Sequence, residues 1–152
     1  MAAKFRFSLQ ALLDARRRAE SRKMYELAAW RRALDGTAAE LESIVRARDR
    51  CMSGLAAAAL ASSAVDLRVR DAYLRRLDAA FADVSCRRGE VLGAWESARD
   101  AVIAARRERR VLERLKERRR RAFEAEEERR EELELDESNE RLARRRAGSA
   151  AS

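Results

Sequence analysis

The sequence predicts an all-α fold: a long antiparallel two-helix coiled-coil hairpin with an overhanging C-terminal helix. Three observations predict it. Two long segments each carry a heptad seam. The 152 residues include no proline and only five glycines. Charged residues make up 41% of the chain and aromatics 5%, a balance suited to solvated helix faces and poor for a thick core. One seam runs Leu9, Arg16, Lys23, Trp30, Thr37, Ile44, Cys51, interleaved with Leu13, Glu20, Leu27, Leu34, Leu41, Arg48, Leu55. The other runs Leu67, Leu74, Phe81, Arg88, Trp95, Val102, Arg109, interleaved with Arg70, Leu77, Val84, Val91, Ala98, Ala105, Leu112. A repeat averaging about 3.5 residues favours a left-handed coiled coil. Two such segments joined near the middle fold back as an antiparallel pair.

The pattern reads as a single coiled-coil domain over 1–152. Helix one spans about 8–53, the tip about 54–66, helix two about 66–145 and a tail 147–152. Before helix one, Phe5 and Phe7 alternate with Lys4 and Arg6 in a short extended lead. Ser8 suits the N-cap, where its hydroxyl can accept a free N–H of the first turn. Phe7 is then expected to staple against Leu12. Arg16, Glu20 and Lys23 fall on the seam, where their stems can cover apolar surface while their heads reach water. A local shift of the stripe onto Leu12, Ala15, Ala19 and Leu27 is the alternative. Gly36 weakens helix one by roughly 1 kcal/mol relative to alanine without ending it.

Gly54, Ser62 and Ser63 mark the tip, and Asp66 is placed to cap helix two. A tip centred near residue 61 puts Leu41 near residue 81 and Trp30 near residue 92. Trp30 would then lie close to Trp95 and Val91 and anchor the register. Helix two outlasts its partner by roughly 25 to 30 residues, about 40 Å of helix. Its end is divided by charge: basic from Arg106 to Arg121, acidic from Glu124 to Glu140, then basic again.

These features exclude most chemistry. With two cysteines and no histidine, the chain offers no zinc-ligand pattern. It has no glycine-rich phosphate loop, no secretory signal, and no apolar run of the roughly 20 residues that a membrane span needs. Carboxylate pairs such as Glu127 and Glu131 lack the shielding that acid–base catalysis requires. Cys86 beside Arg87 and Arg88 reads as an ordinary packed or surface thiol in the absence of a histidine and a cleft. No catalytic, cofactor or metal residue is expected, and the chain reads as a cytoplasmic non-enzyme without direct membrane insertion.

The formal net charge is +8. Interleaved glutamates make a solvated surface sufficient explanation for it, attraction to an acidic partner being the functional alternative. Within the basic run, Glu108, Glu113 and Glu117 recur at helical spacing and pair with arginines, so nucleic acid is not an expected partner. Tyr73, Leu74, Leu77 and Phe81 follow the tip. They either pack onto Leu55, Leu60 or the alanine stretch, or form an apolar patch for a partner.

Two stretches carry a family resemblance. The opening KFRFSLQALLDARRRAE, Lys4 to Glu20, looks like the N-terminus of the FliJ family. RRVLERLKERRRRAFEAEEERREELELDE, Arg109 to Glu137, resembles its second helix, notably at Phe123, Leu135, Asp136 and Glu137. Glu132-Leu133 departs from the glutamine-lysine pair that many relatives carry there, and Ala39 to Gly93 matches no motif strongly. The resemblance implies a stalk-like component of flagellar type III export. Its implied partners are the hexameric export ATPase, whose ring it enters and helps assemble, the export gate membrane protein and export chaperones. The implied location is cytoplasmic, at the inner face of the cell membrane through the export apparatus. The family's gate-contact patch falls by position near Tyr73 and Leu77. Charge clustering adds Arg16, Arg17, Arg18, Arg22, Lys23, Arg118, Arg119, Arg120 and Arg121 as the candidate ring-facing set. The rival readings are the homologous stalk of a virulence-type secretion system and a generic structural or dimeric coiled coil.

Overall fold

Two long α-helices pack against each other: α1 (Gln10–Ala58) and α2 (Ala64–Ala150). The computed structural model describes residues 4–58 and 63–150, with side chains over 4–55 and 63–146. No strand occurs among the described residues. The expected centre of the tip near residue 61, the packing onto Leu60 and the last two tail residues lie outside them.

Local chemistry explains where the helices begin. The Gln10 backbone N–H donates to the Phe7 carbonyl at 3.1 Å, and that of Leu13 donates to the Leu9 carbonyl at 3.0 Å. The helix therefore starts two residues after Ser8. The Ser8 hydroxyl is used elsewhere, accepting from Arg119 Nη1 at 3.0 Å. At the second start, Ser63 takes the N-cap role expected of Asp66. Its hydroxyl accepts the Asp66 backbone N–H at 3.2 Å, and Asp66 Oδ2 accepts the Ser63 backbone N–H at 3.2 Å. The Ser63 hydroxyl also donates to that carboxylate oxygen at 2.8 Å. This reciprocal box needs a serine and an acid three residues apart, and Asp66 is its third-position partner. Gly54 lies inside α1, and no glycine among the described residues has positive φ.

Contacts divide the chain into two compact units: Met1–Arg17 with Arg107–Ser152, and Arg18–Arg106. In the second, the helices run antiparallel. Arg106 meets Glu20, Arg87 meets Glu40, and Arg48 meets Asp78. These pairs fall about one turn further along α2 than a tip centred at residue 61 would place them. Leu34, Thr37, Val84, Ala98 and Val102 are buried. The Thr37 hydroxyl donates to the Leu34 carbonyl at 2.9 Å, which also accepts from Arg88 Nη1 at 3.2 Å. Arg88 can therefore occupy a seam position with its head satisfied.

In the first unit, Phe7 and Leu13 are buried, and Leu13 is fully enclosed. Leu12 is exposed instead of stapling to Phe7, whose ring lies 5.8 Å from the Arg119 guanidinium. The Phe5 and Phe123 rings sit 5.8 Å apart, tilted by 51°. The lead is thereby fixed to α2 by aromatic contact. Lys116 Nζ donates to Gln10 Oε1 at 2.8 Å, and Arg17 pairs with Glu113 at 3.0 Å. From Glu128 to Arg146 every residue is exposed.

Trp30 and Trp95 do not stack. Among the described residues the ring pair is Phe5 with Phe123. Trp95 instead carries the Arg99 guanidinium 5.6 Å from its ring, and Trp30 stays 40% exposed.

Candidate partner-binding surfaces

The apolar residues that follow the start of α2 divide by face. Leu74 and Leu77 are half-buried, while Tyr73 and Phe81 are 44% and 43% exposed. Leu74, Leu77 and Phe81 share a face by their spacing of three and four, yet Phe81 is left partly uncovered at its end. Ile44, Val45, Leu77 and Phe81 line a shallow groove whose rim carries Arg48, Asp49 and Asp78. Arg48 and Asp78 pair across it at 3.2 Å. The groove thus has an apolar floor, an ion-paired edge, and a partly open aromatic ring at Phe81. It can bind an apolar side chain but holds no reactive group.

The expected ring-facing cations are in unlike states. In the first unit Arg16 pairs with Glu108, and Arg17 with Glu113 and Asp14. Arg120 meets Glu117 and Glu124, and Arg121 meets Glu117. Arg119 serves Ser8 and the face of Phe7. Arg118 is exposed and forms no ion pair among the described residues. In the second unit Lys23 pairs with Glu26 at 3.0 Å, and Arg18 and Arg22 are exposed without an ion pair. The set is therefore a mixture of helix-bracing arginines and free cations. The free ones are the better candidates for an acidic partner, because no internal bond must break first.

Glu113 and Asp66 have perturbed titrations. Hydrogen bonds from Arg109 and then Arg17 hold the Glu113 carboxyl below its ordinary value, against a smaller opposing effect of burial. The Ser63 hydroxyl and backbone N–H do the same for Asp66, with Arg70 adding a smaller attraction. Both causes are structural pairing.

Cys51 is half-buried, Cys86 is exposed, and both are free thiols. Among the described residues no cluster of histidine, cysteine or acid is placed to hold a metal ion, and no helix is long and apolar enough to cross a membrane. The sequence did not single out the Glu20–Arg106 pair. Its signal was a glutamate on a seam position, with an arginine next to the seam residue Ala105 in the facing segment.

No curated protein and no solved structure matches the chain. The family described as "Flagellar FliJ protein" does match, over residues 5–148. That match takes in the aromatic lead, both helices and the acidic stretch of α2, and by it the chain belongs to the FliJ family.

Proposed function

We propose that this protein is the central stalk of a flagellar export ATPase ring, promoting ring assembly and linking the ring to the export gate and its chaperones. The FliJ family is one of non-catalytic flagellar export components. The observation that carries the finer reading is the family match over two long paired helices with thinly buried seams. A pair of continuous helices can be stiff without a globular core. On this reading α2 overhangs its partner beyond Glu128, where every described residue up to Arg146 is exposed.

The protein then works in the cytoplasm and reaches the inner face of the membrane through its partners. Free cations such as Arg18, Arg22 and Arg118 give weak, screened contacts with ring subunits. Weak contacts suit a shaft within a machine that must cycle. Tyr73 and the Leu77 groove are proposed for the export gate, because that groove offers an apolar floor with the partly exposed Phe81 ring, and Tyr73 stands exposed one turn before Leu77.

The two surfaces are tested separately by pull-down with the ring ATPase and with the gate's cytoplasmic part. Reversing Arg18, Arg22 and Arg118 to glutamate is expected to weaken capture of the ATPase and spare the gate. Tyr73→Ala with Leu77→Ala is expected to do the opposite. Unchanged capture of both partners by both variants contradicts the assignment of these surfaces.

A further inference from the structure

One face of α2 in the first unit is self-complementary in charge. Arg107, Arg110, Arg114 and Arg118 recur at spacings of three or four and so share one side of the helix. All four are exposed, and none forms an ion pair or side-chain hydrogen bond among the described residues. Further along, Glu128, Glu132 and Asp136 recur at spacings of four, also exposed and also without a partner. At about 100° per residue the two stripes fall on the same side of α2. Lys116 and Phe123, which meet Gln10 and Phe5, lie on the opposite side. The free face is therefore basic in its first half and acidic in its second.

We infer that this face pairs with the same face of a second copy of the chain, the two α2 helices running antiparallel about a two-fold axis near Phe123. Under that symmetry Arg118 meets Glu128 of the other copy, Arg114 meets Glu132, and Arg110 meets Asp136. The match in spacing is what argues for this partner. Three arginines and three acids lie at mirrored distances from one point on the helix, so a single register satisfies all of them, and the two-fold makes each pair twice. A parallel pairing in register would set arginine against arginine. Between the stripes the face carries Arg121, which pairs with Glu117 of its own helix at 3.0 Å, and the exposed Ala125; the two-fold sets each Arg121 against the small Ala125 of the other copy. The face is charged rather than apolar, so the association is weak and strongly screened by salt. It does not depend on the proposed stalk role, because it needs only the protein itself.

The test is sedimentation equilibrium of the full chain, before and after nuclease treatment, at about 50 mM and about 500 mM salt. A dimer at low salt whose dissociation constant rises at least ~10-fold at high salt is expected. One variant, Arg110→Glu with Arg114→Glu and Arg118→Glu, makes the whole face acidic. A second, Glu128→Arg with Glu132→Arg and Asp136→Arg, makes it basic. Each is expected to be monomeric alone, with wild-type helix content by circular dichroism. An equimolar mixture is expected to form the heterodimer. The inference is overturned by a wild-type monomer at low salt, by a dimer that persists in either variant, or by a mixture that stays monomeric. A low-salt species whose extra mass is nucleic acid, lost on nuclease treatment, overturns it as well.

Discussion

Arg106 donates its Nε–H to Oε1 of Glu20 at 3.1 Å, joining helix positions 86 residues apart. The Glu20 side chain is 9% exposed and that of Arg106 is 44% exposed. A carboxylate thus occupies a position that an ideal seam would give to leucine. Removing the arginine takes an ion pair from a buried carboxylate, whereas replacing both residues removes the desolvation cost as well. Arg106→Ala is expected to destabilise the protein by about 1–3 kcal/mol in urea unfolding. The double variant Glu20→Leu with Arg106→Leu is expected to fall near the wild type or above it. Equal losses in both variants would show that the pair itself stabilises.

Gly36 has no neighbour within 4 Å of the place an added Cβ would take. It sits inside α1 with ordinary helical φ, so nothing calls for glycine's freedom there. Gly36→Ala is expected to raise stability by about 1 kcal/mol, seen as a higher urea midpoint at unchanged slope. A fall in the midpoint would mean that the open space is used by something the free chain does not show.

Leu13 is fully buried in the first unit. Leu13→Ala is expected to cost about 2–4 kcal/mol of the free energy that holds the N-terminal segment. Hydrogen exchange should detect this as faster exchange over the first turns of α1. Leu12→Ala, next to it and exposed, is expected to stay within about 0.5 kcal/mol of wild type.

Glu113 titrates below its ordinary value because Arg109 and Arg17 hydrogen-bond its charged form. A folded-state value below the unfolded one contributes stability that is present above the ordinary value of 4.5. That contribution is lost as pH falls through the lowered folded value. Glu113→Gln is therefore expected to flatten the acid limb of the thermal midpoint against pH, while lowering the midpoint at neutral pH. An unchanged acid limb in the variant would remove Glu113 from the account.

The Ser63–Asp66 box leads to a parallel expectation for α2. Ser63→Ala leaves the Asp66 N–H without its cap, so amide exchange in the first turn of α2 should quicken roughly fivefold. Amides beyond the second turn should not respond.

The seam was legible because burial follows its heptad positions closely. Leu13, Glu20, Leu34, Thr37, Val84, Ala98 and Val102 are all buried seam residues. Arg16, Trp30, Arg48, Leu67 and Phe81 are seam residues that remain exposed. Of the alternative stripe on Leu12, Ala15, Ala19 and Leu27, the first two are exposed and the last two half-buried. Hydrophobic periodicity could not show that Glu20 would be satisfied in place, because this depends on an arginine brought by the facing helix. The caps differ from the sequence reading at both starts for a related reason: a capping side chain can be taken by another partner, distant at one start and local at the other. Ser8 is drawn to Arg119, while Ser63 and Asp66 satisfy each other. The candidate surfaces were legible as charge and apolar clusters. Which arginines are free was not, because glutamates at several spacings compete for each of them.

The measurement that bears most directly on the stalk reading is made by mixing this protein with its cognate export ATPase at matched salt. Hexamer formation and ATP turnover are followed together. The account predicts binding of this protein, a shift of the ATPase toward the hexamer, and faster turnover that saturates with added stalk. A folded, helical sample that neither binds nor changes assembly and turnover would contradict the stalk role.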